Sequence, residues 1–217
     1  MIDNDYERLR NVVVAGHSGD IELARSGLAD RDARVRAAAV GSMDRLGELG
    51  ATALSEALRD PEPGVRRRAA EVAAGRREAI PSLLEGLGDD HPMVAEAAAF
   101  ALGEMHPADS ADDSQGPSID MATVVESLSR VCREHADALC RESAAAALGS
   151  LGHPGGLAAV LAACADKAPV RRRAVLALAA FDGPEVTDML EHLSDDRDLQ
   201  VRQAAEDLLA IERGSDI

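Results

Sequence analysis

The sequence predicts an all-α solenoid of about six stacked helix pairs. Three observations carry this: a motif that recurs along the chain, apolar stripes with helical spacing, and a near-absence of aromatic residues. The motif is an Asp-rich turn, a branched apolar residue, one to three arginines and an alanine run. It reads DRDARVRAAAV at Asp30–Val40, DPEPGVRRRAA at Asp60–Ala70 and DDHPMVAEAAA at Asp89–Ala99. Later copies are DALCRESAAAA at Asp137–Ala147, DKAPVRRRAV at Asp166–Val175 and DDRDLQVRQAA at Asp195–Ala205. Taking Val35, Val65, Val94, Cys140, Val170 and Val201 as anchors, the steps are 30, 29, 46, 30 and 31 residues. A period near 30 residues marks a helical repeat whose modules bury one another's apolar faces.

Each copy reads as two helices around the turn. From each anchor, apolar residues follow at 4, 7 and 8 positions, which is one stripe of a 3.6-residue helix. Val65, Ala69, Val72 and Ala73 form one such stripe, and Val170, Ala174, Ala177 and Leu178 another. These are the B helices, and Gly47, Gly75, Gly103 and Gly149 are expected to stop four of them in left-handed geometry. A second stripe precedes each turn, such as Ile80, Leu83, Leu84 and Leu87, or Val186, Met189, Leu190 and Leu193. These are the A helices, with Pro81 and Pro184 at starts where a missing N–H costs little.

The expected organisation is a helical cap or half-repeat over residues 1–19, then the repeats over 20–217. The long step between anchors carries about 16 extra residues, placed as an acidic loop insertion at 107–120 (PADSADDSQGPSID from Pro107). Glu206 and Asp207 put charge on the last B helix, as a terminal module requires.

Composition narrows the chemistry. Aromatic residues are 1% of the 217, so the core must come from Ala, Leu and Val in closely packed helices. The formal net charge of −16 opposes a general nucleic-acid footprint, which needs a positive surface. No apolar run of 18 residues exists to span a membrane, and MIDNDYERLR at the start does not read as a signal peptide, so a cytoplasmic protein is expected. Cys132, Cys140 and Cys164 lack CxxC spacing and are expected to be buried free thiols.

Asp in the turn, then Val, Arg and an Ala-rich second helix ending in Leu-Gly: this pattern resembles the HEAT repeat, of the bacterial kind similar to phycobilisome-lyase repeats. The resemblance covers roughly residues 20–212. It implies a right-handed α-α superhelix of the HEAT/armadillo type, with the B helices lining a concave face. It also implies a ladder in which the turn Asp and an Arg six residues later tie repeat to repeat. The matching pairs are Asp30/Arg36, Asp60/Arg66 and Asp196/Arg202. Ala95 answers Asp89, and His135 stands opposite Arg141, so the ladder is expected to break in the middle. Treated as exposed, each pair contributes about 0.2–1 kcal/mol.

No catalytic, cofactor-binding or metal-ligating residue is assigned. GxxxxGK[ST], GxGxxG and HExxH are missing, and the His-Glu pairs of a HEAT-type metal hydroxylase stand reversed here as Glu134-His135 and Glu191-His192. His106 and His153 each precede proline and are read as solvated loop residues. The expected function is therefore a non-enzymatic protein-binding or scaffold module, monomeric or dimeric, taking a partner helix or peptide on its concave face. The competing class is an accessory subunit of a lyase or other enzyme. Positions 2, 5 and 6 after each anchor are expected to face the partner. They supply an apolar strip of Ala99, Phe100, Ala145, Val175 and Leu176, with Arg67 and Arg172 on its rim.

Overall fold

The fold is taken from a computed structural model that describes residues 2–105 and 120–215. Among them are thirteen α-helices, a few single-turn 3-10 segments and no strand. The expected insertion at 107–120 lies outside the described residues apart from Asp120, and so does His106.

The chain divides into two compact units, residues 1–101 and 102–217. The first begins with α1 (Ile2–Ser18). Three helix pairs follow: α2 (Ile21–Ser26) with α3 (Ala33–Arg45), α4 (Ala51–Ala57) with α5 (Pro63–Val72), and α6 (Ile80–Gly86) with α7 (Pro92–Gly103). The second unit takes up the end of α7. It continues with α8 (Met121–Glu134) and α9 (Ala138–Leu151), α10 (Leu157–Ala163) and α11 (Ala168–Ala177), and α12 (Pro184–Leu193) and α13 (Leu199–Ser215).

Every B helix starts two residues ahead of its apolar anchor, because the turn supplies the cap. Asp32 accepts the Arg34 N–H at the start of α3, and Asp137 accepts that of Leu139 at the start of α9. Proline takes the first turn of α5 and α11 instead. Four of the six A helices have only six or seven residues. Segments that short are marginal alone and owe their stability to packing.

Within the first unit α1 packs on α3, and α3 on α5. Val12, Val35 and Ala39 form a buried cluster there, flanked by Leu9, Leu28 and Ala38. Within the second unit α9 lies between α8 and α11, and α13 packs on α11 and α12. Leu128, Cys140, Ala144, Leu148, Val160, Val170, Leu178, Leu190 and Val201 are buried in it. The core is aliphatic and small-residue, as the composition requires.

Gly47 and Gly75 follow α3 and α5 at φ of 73° and 74°, the left-handed geometry expected of helix stops. Gly103 and Gly149 depart from expectation. Gly103 ends α7 without a positive φ, and a Cβ there would lie 2.8 Å from the Ala147 Cβ. Helix α9 runs through Gly149 to Leu151 and closes at Gly152, whose φ is 57°. The reason for Gly149 is space: a Cβ there would sit 2.7 Å from the Ala177 Cβ and 2.8 Å from its Cα. The two B-helix backbones of α9 and α11 touch at this point.

All three cysteines are free and buried. Burial pushes the Cys132 thiol up to about 11 and the Cys164 thiol up to about 12. No described helix is long and apolar enough to cross a membrane.

Candidate functional site

Two sets of side chains on the B helices could carry function: the arginines at their starts and the residues facing away from the core. After four of the six anchors the next residue is an arginine that reaches forward to the Asp of the next turn with two parallel hydrogen bonds. Arg36 donates to both carboxylate oxygens of Asp60 at 2.7 and 2.8 Å, and Arg66 to those of Asp89 at 2.7 and 2.9 Å. In the second unit Arg141 holds Asp166 at 2.6 and 2.9 Å, and Arg171 holds Asp196 at 2.9 and 2.8 Å. Arg8 of α1 does the same to Asp30 at 2.8 and 3.2 Å, so α1 occupies the place of a B helix.

The remaining nitrogen turns back to the arginine's own turn. Arg36 Nη1 donates to the Asp30 carbonyl at 2.9 Å, Arg66 to that of Asp60 at 2.9 Å, and Arg202 to that of Asp196 at 2.6 Å. Asp30/Arg36, Asp60/Arg66 and Asp196/Arg202 thus meet through backbone carbonyls, while the carboxylates of these aspartates face the preceding arginine. Four of the five rung carboxylates also fix their turn by accepting an N–H two residues on: Asp32 for Asp30, Glu62 for Asp60, His91 for Asp89 and Asp198 for Asp196; Asp166 accepts that of Lys167, one residue on.

These rungs are not exposed pairs. The Arg36 and Asp60 side chains are 15% and 11% accessible, and those of Arg171 and Asp196 are 6% and 12%. The guanidinium bond holds Asp30, Asp89, Asp166 and Asp196 below the usual carboxylate range. For Asp60, burial pushes upward, and the bonds from Arg36 and the Glu62 N–H outweigh it. The premise of exposure behind about 0.2–1 kcal/mol per rung therefore does not hold for the most enclosed ones.

Three rungs lie in the first unit and two in the second. The series stops at Ala95, which is buried and carries no donor, and resumes after His135, which carries no carboxylate. His135 keeps its turn by another route: its Nδ1 accepts the Asp137 N–H at 3.1 Å. His153 does likewise for Gly155 at 3.2 Å, so it serves as a helix-start cap. Among the described residues no group of three or more His, Cys, Asp and Glu could hold a metal ion. Spacing from the Asp missed Arg8, which has no such turn before it, and Arg171, which lies five residues after Asp166. The position one after the anchor would have found Arg141 and Arg171.

The face turned away from the core is narrower than expected. Ala99, Ala145 and Val175 are fully buried, which removes the fifth position after the anchor from any partner surface. Val40 and Ala70 are buried at this position too, whereas Glu206 of the last B helix is exposed. The sixth position stays open: Phe100 is 51% and Leu176 54% accessible, in the first and second units respectively. Arg172 donates to both carboxylate oxygens of Asp198 at 3.0 and 2.6 Å. Arg67 pairs with Glu71 at 2.9 Å beside an open surface depression of about 410 Å³ between α3 and α5.

Known proteins agree with this architecture. A family model described as HEAT repeats matches residues 51–114 and 120–210. No curated protein matches the sequence. Among solved structures, an Escherichia coli protein, YibA, is 18% identical with a TM-score of 0.65, over 89% of this chain and 71% of its own. An engineered protein is 19% identical with a TM-score of 0.61, over 90% of this chain and 97% of its own. A designed armadillo repeat protein, solved in complex with the peptide (KR)4, is 17% identical with a TM-score of 0.62, over 86% and 97%. At these identities the structural likeness concerns the fold alone. With the repeat model matched over most of its length, and with helix pairs stacked B helix on B helix, the chain belongs to the HEAT-repeat family.

Proposed function

We propose that the chain is a non-catalytic protein-binding module that takes a partner helix or peptide on its concave, B-helix face. The observation that supports this is the exposure of Phe100 and Leu176, both more than half accessible on helices whose other large apolar side chains are mostly buried. Large apolar groups left in water among charged neighbours favour a protein partner. Charged pairs on the B helices include Arg67 with Glu71 in one unit and Arg172 with Asp198 in the other. The repeat architecture adds weight, since solenoids present extended surfaces. A designed repeat protein of like fold holding the (KR)4 peptide illustrates the mode.

The test is selection of 12-residue peptides from a displayed random library on the purified chain. Binding of the selected peptides is then measured with Phe100→Asp and Leu176→Asp. Loss of binding with unchanged helicity and melting is the expected result. If both variants unfold, or if both bind as the parent does, the face is not the docking surface.

A further inference from the structure

The two units treat the same arginine trio differently. In the second unit Arg171 is taken by Asp196, Arg172 by Asp198 and Arg173 by Glu142, the last at 3.6 Å. In the first unit Arg66 is taken by Asp89, but Arg67 and Arg68 share one carboxylate. Arg67 Nε lies 2.9 Å from one oxygen of Glu71, and Arg68 Nη1 lies 3.1 Å from the other. Two guanidiniums with one carboxylate leave a local charge of about +1 on a chain of net −16. They border a shallow, open surface depression of about 410 Å³, lined otherwise by Ala37, Ala38 and Gly64. Those residues are small, so the space in front of the guanidiniums is open. Gly41 contributes to it: a Cβ there would lie 2.5 Å from an Nη of Arg68, so glycine lets that guanidinium lie against α3.

We propose that this cleft between α3 and α5 is a subsite for one acidic side chain of the bound peptide, held between Arg67 and Arg68. The proposal rests on the reading of the B-helix face as partner-binding and adds the chemistry of one contact. A planar carboxylate suits guanidinium groups, which bind it through paired N–H bonds. A singly charged carboxylate balances the surplus. A doubly charged phosphate would be left facing Glu71 with excess negative charge.

The subsite is tested without a peptide. The ¹⁵N-labelled full chain is titrated with sodium acetate at constant ionic strength, and in parallel with inorganic phosphate. The Arg Nε–Hε signals and the Gly64 amide are followed. Acetate is expected to give saturable shifts at Arg67, Arg68 and Gly64, with Arg172 and Arg173 unmoved. Glu71→Gln removes the internal competitor and should tighten acetate about fivefold, while Arg67→Ala should weaken it by a similar factor. Equal shifts at Arg172 and Arg173, no change with Glu71→Gln, or saturation by phosphate below the acetate concentration would each overturn the assignment. If acetate fails while selected peptides still bind through Phe100 or Leu176, only the subsite falls. If acetate binds as expected and no peptide does, only the wider reading falls.

Discussion

Arg36→Ala probes what a ladder rung contributes. The substitution leaves the Asp60 carboxylate, 11% accessible, facing the space vacated by the guanidinium, and it strips the Asp30 carbonyl of its donor. Hydrogen bonds to charged groups contribute about 1.5–3 kcal/mol net, and exposed ion pairs about 0.2–1 kcal/mol. Arg36 and Asp60 lie between these cases, with accessibilities of 15% and 11%, so a loss of about 1–2 kcal/mol is expected. Urea unfolding followed by helix ellipticity gives the change. A double-mutant cycle with Asp60→Asn isolates the pair, with expected coupling of about 1 kcal/mol. Arg34 and Asp32 form the control: they pair at 2.6 Å within one turn, and Arg34 is 70% accessible. Arg34→Ala should leave the midpoint within error. If the Arg36–Asp60 coupling is no larger than the control coupling, the rungs do not tie repeat to repeat and the reasoning fails.

The rung aspartates have folded-state pKa values below their unfolded value of about 3.9, so their contribution is complete above that value and is lost as pH falls through the lowered ones. Wild type and Arg36→Ala should therefore differ in stability by a constant amount from pH 8 to about pH 5, and the gap should narrow as pH falls below about 4, leaving the share due to the Arg36 bond to the Asp30 carbonyl; a gap undiminished at the lowest pH where the fold persists contradicts the pairing. Gly149→Ala improves helix propensity by about 1 kcal/mol yet forces a methyl onto Ala177, at a cost of about 1–3 kcal/mol. A net loss of about 1 kcal/mol in chemical denaturation is expected, and a stabilised variant would show that the helices yield at this contact. The buried thiols of Cys132, Cys140 and Cys164 should resist iodoacetamide at pH 8 in the folded chain and react fully in urea, as read by intact mass; rapid labelling of the folded protein would show that the second unit opens.

The helix pairs were legible in the sequence because anchor, turn and alanine run recur with a period that no other fold class explains. The stripes named the buried residues well: Val35, Val65, Val94, Cys140, Val170 and Val201 are all at most 2% accessible. What escaped was direction. The HEAT resemblance implied a pair of Asp30 with Arg36, six residues on, but the guanidinium is long enough to bond the Asp30 carbonyl behind it and the Asp60 carboxylate ahead of it. The fifth position after the anchor escaped for a related reason. On an isolated B helix it faces away from the A-helix stripe, and in the second unit only stacking of one B helix on the next encloses Ala145 and Val175. Gly149 read as a stop signal because sequence shows a missing side chain and not the Ala177 backbone that fills its place. The exposure of Phe100 and Leu176 was legible in their positions, whereas the shared carboxylate of Arg67 and Arg68 was not.

Each rung joins an arginine of one module to an aspartate of the next by the same two bonds. If residues 31–60 were excised, Arg8 would keep Asp30, Arg66 would keep Asp89, and Arg66 would inherit the Asp30 carbonyl that Arg36 now uses. The connector is therefore interchangeable between modules. A chain built this way can lengthen or shorten by whole modules through duplication and loss, without inventing a new joint each time.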